Sequence, residues 1–141
     1  MSVRLAVPSD APALLKLNDA FNGPGLGDAA HIEHSLCENP SKIVCVAELD
    51  GETVGFCCAQ LVSSICYKEK CGEITELYVE PRARRQGLAT ALLQLAEREL
   101  VSRGATELKL LTGDDNFPAR ALYESLGYEA DGEVHYAKDA Q

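Results

Sequence analysis

The apolar positions of this chain follow two periods, and the changes from one to the other mark out its elements. Val3 to Val7 alternates as a strand does, and Ser9-Asp10 then offers caps for a helix that gathers Ala13, Leu14, Leu17 and Phe21 on one face. Asn22-Gly23-Pro24-Gly25-Leu26-Gly27-Asp28 reads as a loop, because glycine and proline at this density favour turns. A second helix is expected from Asp28 to about Glu38, where His31 and His34 can share a face. Lys42 to Leu49 and Thr53 to Val62 are β-rich runs joined by Asp50-Gly51, a strong hairpin signal.

Glu73 to Val79 makes a fourth strand, reached through a polar turn near Lys68 and ended by Pro81. From Gly87 onward Ala89, Leu92, Leu93, Ala96 and Leu100 recur at helical spacing, and this helix should stop near Arg103-Gly104, with glycine beyond its last turn. Glu107 to Leu111 follows as a fifth strand, and the strand, helix, strand order favours parallel pairing with a right-handed crossover. Asp115 or Asn116 can cap one more helix, which has Pro118 in its first turn and Gly127 at its end. Tyr128 to Asp139, broken at Asp131-Gly132, reads as two short closing strands. The sum is an α/β chain, one domain over 1–141, whose mixed and mostly antiparallel sheet has six to seven strands flanked by about four helices.

Composition narrows the partners. A hydrophobic content of 46% and a charged content of 25% are ordinary for a globular chain, and no apolar run is long enough to span a bilayer. Met1-Ser2-Val3-Arg4-Leu5 enters a strand pattern without an apolar signal region, so a cytoplasmic location and no membrane partner are expected. Cys45, Cys57 and Cys58 lie inside strand-like runs and read as small core residues. No Cys-x-x-Cys pair occurs and no third ligand accompanies His31 and His34, so no metal is expected. A formal net charge of −9 disfavours nucleic acid; it suits a cationic substrate, and serves solubility equally well.

The chemistry centres on Leu77-Tyr78-Val79-Glu80-Pro81-Arg82-Ala83-Arg84-Arg85-Gln86-Gly87-Leu88-Ala89-Thr90, where a strand passes through a basic turn into the long helix. The first N–H groups of a helix have no partner inside it, and its dipole puts partial positive charge at that end. An anion is the natural guest, and Gly87 lets the backbone approach it closely. The spacing Arg84-x-x-Gly87-x-Ala89 resembles the acyl-CoA pyrophosphate motif of the GCN5-related N-acetyltransferases. A second segment, Asn116-x-x-Ala119-x-x-Leu122-Tyr123-Glu124-x-x-Gly127-Tyr128, resembles the C-terminal signature of the same family and follows the first after one helix and one strand. The stretches Arg84 to Leu93 and Gly113 to Gly127 look somewhat closer to aminoglycoside 3-N-acetyltransferases than to other branches.

That resemblance implies a GNAT-like fold and direct transfer of an acetyl group from acetyl-CoA to a primary amine of a small molecule or peptide, within a ternary complex. Attack on the thioester needs a neutral amine, an electrophile held nearby and a proton donor for the departing thiolate. Tyr123 is the candidate donor; its alternative role is packing. For the base, Glu76 comes first and Glu73 acting through water second, and either equally fits a solvated strand carboxylate. In several branches the family's carboxylate aligns with Thr75, which cannot act as a base. Glu73 and Thr75 should face one way and Glu76 the other, unless a bulge intervenes.

Carried onto this chain, the family pattern gives Leu77, Tyr78 and Val79 to the pantetheine arm, with Asn116 and Ala119 beside it. The N–H groups of Arg85, Gln86, Gly87, Leu88 and Ala89, with the Thr90 hydroxyl, would take the pyrophosphate. Arg82, Arg84 and Arg120 are candidates for the 3′-phosphate of the adenosine portion. Family members are frequently homodimers, which leaves the oligomeric state of this chain open. Two rival readings are a non-catalytic acyl-CoA-binding module and an acidic subunit that meets a basic protein. The acceptor depends on the loop from Phe21 to Asp28, on His31 and His34, and on Glu133, His135 and Tyr136, which carry no readable code.

Overall fold

In the computed structural model, which describes residues 1–141, strand β1 (Ser2–Leu5) pairs antiparallel with β2 (Lys42–Leu49). Asp50 and Gly51 then turn the chain at φ values of 53° and 80°, the paired positive angles of the tightest hairpin, into β3 (Glu52–Ser64). A second hairpin leads to β4 (Tyr67–Val79), and β5 (Ala105–Leu110) adds in parallel, giving the order β1-β2-β3-β4-β5. The expected polar turn near Lys68 is instead strand, and the chain reverses at Ile65-Cys66. Tyr67 to Lys70 are all exposed there, so paired backbone and not side-chain burial holds the extension, which is why no apolar alternation announced it.

Four helices accompany the strands, α1 (Ala11–Asn22), α2 (Ala29–Glu38), α3 (Leu88–Ser102) and α4 (Phe117–Ser125). None is long and apolar enough to cross a membrane. Contacts divide the chain into two compact units, Met1–Leu111 and Thr112–Gln141. In the first, Leu14 and Leu17 of α1 bury against Val46 and Phe56, with Ile32, Leu36, Val44, Cys58 and Tyr78 around them. The opposite face of the sheet carries α3, whose Leu92, Leu93 and Leu100 are fully buried. The approach is close. A Cβ on Gly72 would lie 2.7 Å from a methyl of Leu100, so only glycine fits that position of β4. Gly104, at φ 105°, ends α3 as expected.

Asp10 does not cap α1. Its carboxylate turns back, taking two bonds from the Arg4 guanidinium (2.8 and 2.9 Å) and one from the Val7 N–H (2.8 Å), because a bidentate charged pair outcompetes a single helix N–H. Arg4 also holds Glu48 across the β1–β2 ladder at 2.7 Å. These bonds, with Arg4 the largest influence, hold the Asp10 carboxyl below its ordinary 3.8. A carboxylate favoured in the fold contributes stability that is full above that ordinary value and lost as pH falls through the lower folded value. Asp10→Asn should cost about 2–4 kcal/mol at neutral pH by urea unfolding and should flatten the acid limb of stability below about pH 4. An unchanged acid limb would mean that the cluster contributes no such linkage.

In the second unit Asn116 accepts from the Ala119 N–H (3.3 Å) as the cap of α4, and Gly127 (φ 94°) closes it. Residues 128–141 form no strand, so the sheet has five strands and not six to seven. Gly132 at φ 80° breaks the run, and Val134 and Tyr136, its largest apolar side chains past that break, are 70% and 88% exposed. No apolar face is buried to hold a ladder there.

Candidate active site

Between β4 and α3 the chain makes a short 3-10 turn, Pro81–Ala83, and then Arg84 ties the connection down. Its Nε donates to the Val79 carbonyl at 2.8 Å and its guanidinium lies 5.7 Å from the centre of the Tyr78 ring. Arg85 (φ 63°) and Gly87 (φ 81°) both take left-handed backbone, which turns successive N–H groups toward one side. From Arg85 to Thr90 no main-chain N–H has an acceptor within the chain; the first helical bond is Ala91 N–H to the Gly87 carbonyl, 3.0 Å. No side chain caps this end and its first turn holds no acidic residue. A Cβ on Gly87 would meet nothing within 4 Å, so no other group of the chain crowds that residue. Six main-chain donors without a partner in the chain, at the positive end of a 15-residue helix, are a donor set that could hold a multiply charged anion such as a diphosphate.

The arginines divide. Arg82 is bound to Glu80 (2.8 Å) and to Glu52 (2.6 Å), and Arg84 to the strand end, whereas Arg85 forms no ion pair. Arg120 belongs to the second unit, where it donates to the Asp114 carbonyl at 2.6 Å.

Pairing between β4 and β5 runs from Lys70↔Ala105 to Ile74↔Leu110 and stops. Beyond it Glu76 to Val79 pair with β3 alone, so Leu77, Tyr78 and Val79 border an open sheet edge whose outward main-chain groups can bond an extended ligand. A bulge lies at the same point. Cys58 opposes Glu76 and the next residue, Ala59, opposes Ile74, so Thr75 is the extra residue of β4. The alternation expected from sequence is thereby overturned. Glu73, opposite Gln60, and Glu76, opposite Cys58, face the same side, that of α1 and α2. The Glu76 carboxylate accepts from the Thr75 hydroxyl, and Glu73 accepts from Gln60 Nε2 at 3.3 Å.

Glu76 opens into a cavity of about 290 Å³ between that face and the two helices. Leu14, Ile32, Leu36, Val44 and Phe56 give it an apolar wall; Asn18, His31, Ser35 and Lys42 bring polar groups. Phe21, from the last turn of α1, stacks on Tyr78 at 5.1 Å and meets Phe56 edge-on at 6.1 Å, fixing the aromatic side. Cys58 also lines the cavity. Burial, then the charge of Glu76, pushes its thiol up to about 12, so it stays protonated and is no nucleophile at neutral pH. His34 is exposed and does not line the cavity.

Asn116, Ala119, Arg120 and Tyr123 sit on or at the cap of α4. Tyr123 is half-buried, with its ring edge-on to Tyr128 at 6.1 Å. Sequence reasoning missed Lys42, Asn18, Ser35 and Cys58 as cavity residues. Lys42 does share the parity of Val44 and Val46, but alternation alone does not say which face of the sheet encloses space.

A model of the acetyltransferase (GNAT) family matches residues 12–128. An uncharacterised N-acetyltransferase of Bacillus subtilis (strain 168), YhfO, is 33% identical over 142 residues, covering 96% of this chain and 95% of the relative. An aminoglycoside acetyltransferase from an uncultured soil metagenomic sample, solved with trehalose, superposes with a TM-score of 0.87 at 18% identity, over 99% of this chain and 96% of that one. AAC(6')-Iy, solved with the bisubstrate analogue CoA-S-monomethyl-acetylneamine, gives a TM-score of 0.85 at 20% identity, over 99% and 98%. At these identities the two structures speak for the fold.

Proposed function

The chain belongs to the acetyltransferase (GNAT) family, acting as an acetyl-CoA-dependent N-acetyltransferase, and from that premise we propose which residues do the work and what they act on. The open donors of Arg85 to Thr90 take the diphosphate, with Arg85 free to reach a further phosphate, and the unpaired edge at Leu77 to Val79 lines the pantetheine arm. The Val79 carbonyl already serves Arg84, so on that residue the N–H is the group left to offer. Acetyl-CoA supplies the acyl group as a thioester. Residues 1–141 are read as one acetyltransferase domain, supported by a family match that runs through both units.

The acceptor is a primary amine of a small molecule or peptide that arrives as an ammonium, favoured at long range by the net charge of −9. Glu76 holds that ammonium in the cavity and takes its proton, directly or through one water; Glu73, held by Gln60 on the same face, is the second carboxylate. The neutral amine forms the C–N bond as the C–S bond breaks. By the C-terminal motif, Tyr123 gives its phenolic proton to the departing thiolate, Asn116 and Ala119 border the pantetheine arm, and Arg120 contacts the adenosine phosphate. A homodimer and a cytoplasmic location belong to the same reading and rest on the resemblance and the sequence.

One observation carries the proposal: the uncapped helix end, open at Gly87, lies at the end of a strand whose pairing has just stopped beside a carboxylate-lined cavity. Thiol release from acetyl-CoA over a panel of amines tests it. Glu76→Gln should lower kcat/KM at neutral pH by about 100-fold and Glu73→Gln by less than about tenfold, since only the first removes the group lining the cavity. Equal effects, or none from Glu76→Gln, would take the base assignment away from Glu76. Saturable binding of acetyl-CoA without thiol release would reduce the protein to a binder.

A further inference from the structure

The cavity beside β4 holds charges of both signs with no direct ion pair between any of them, Lys42 reaching the Glu73 carboxylate only through the Gln60 amide. Glu76 and Lys42 both line it, and neither forms an ion pair. The Glu76 carboxylate has the Thr75 hydroxyl, and Lys42 Nζ donates to Gln60 Oε1 at 3.3 Å. Register sets their separation. Val44, Cys58 and Glu76 stand side by side across three strands, and Lys42 is two residues along β2 from Val44. Two strand spacings and one two-residue step put the Cα atoms of Lys42 and Glu76 on the order of 12 Å apart. The heads stay out of contact, with the Cys58 thiol between their strands.

An unpaired charge in a partly enclosed, apolar-walled space is costly, and two of opposite sign in one cavity are relieved together by a ligand that carries the complementary pair. A polycation would set its second ammonium against Lys42. An amine without an anion would leave Lys42 as it is. The volume of about 290 Å³ is at the small end for ligand pockets. We propose that the acceptor is an amino acid or a related zwitterion, with its ammonium at Glu76, its carboxylate at Lys42 and an apolar side chain against Leu14, Ile32 and Phe56. Lys42 is then the specificity residue, matching the carboxylate that distinguishes an amino acid from its amide or its decarboxylated amine. This rests on the acetyl-transfer reading and names its substrate class.

The test is thiol release from acetyl-CoA with L-valine, L-leucine, L-methionine and L-phenylalanine, each beside its amide and its decarboxylated amine, and with 1,5-diaminopentane. In the wild type the best free amino acid should exceed its own amide and amine in kcat/KM by at least about tenfold. Lys42→Met should remove that advantage, lowering the amino acid by at least about tenfold more than its decarboxylated amine, and a cooperative urea unfolding transition shows that the variant folds. Lys42→Glu should turn preference toward 1,5-diaminopentane. Amides, decarboxylated amines or the diamine equalling the amino acids in the wild type would overturn the proposal, as would an amino-acid preference that survives Lys42→Met. Acetyl-CoA binding with no thiol release from any amine would instead sink the transfer reading itself.

Discussion

Gly87→Glu is expected to abolish acetyl-CoA binding while the protein remains folded. The substitution sets a carboxylate among the free N–H groups of Arg85 to Thr90, where the helix end and the left-handed turn favour negative charge. It would satisfy some of those donors from within the chain and repel the diphosphate from the rest. Affinity by calorimetry should fall by more than about 100-fold, the scale of losing several charge-assisted hydrogen bonds. The fold should survive because a Cβ at this position meets nothing within 4 Å, so the cost is confined to backbone at φ 81°, about 1–2 kcal/mol for a residue other than glycine. Gly87→Ala separates the two effects, carrying the backbone cost without the charge. Unchanged affinity in the glutamate variant would refute the phosphate-turn reading, whatever the sheet looks like.

For Tyr123→Phe the expected loss is in turnover. A phenol that donates a proton only as the C–S bond breaks contributes to the transition state and little to the ground state, so kcat should fall by about 100-fold with the acetyl-CoA dissociation constant within about twofold. Phenylalanine keeps the ring and so its edge-on contact with Tyr128. Equal turnover in the variant would return Tyr123 to a packing role. A rise in the dissociation constant that matches the fall in turnover would assign it to binding instead of proton transfer.

Much of the scaffold was legible because the relevant signals are local. Asp50-Gly51 demanded two positive φ angles and took them, and Leu92, Leu93, Ala96 and Leu100 recur at helical spacing and are all buried. Gly104 ends its helix where a left-handed residue was needed. The departures have a common cause, since each depends on a partner distant in sequence. Asp10 looked like a cap until Arg4 competed for it, and Tyr67 to Lys70 looked like a turn until the β3 backbone paired with it. Tyr128 to Asp139 has strand-like residues, but a strand is made by its neighbour. In the candidate site the turn into an uncapped helix end could be read from Arg84-x-x-Gly87-x-Ala89, because a glycine after a strand and before a helical run marks such a start. The cavity beside it could not, since Lys42, Cys58 and Glu76 come from three strands and meet only through register.

The extra residue at Thr75 makes counting by twos fail across the middle of β4. Glu73 and Glu76, an odd number of steps apart, become equivalent in direction, while Thr75 loses the place in the alternation that its number suggests. A chain without this extra residue would correspond to this one in that strand only after one residue is subtracted. Matching two such chains by number alone would pair Glu76, the carboxylate proposed to accept the proton, with a residue whose side chain points elsewhere.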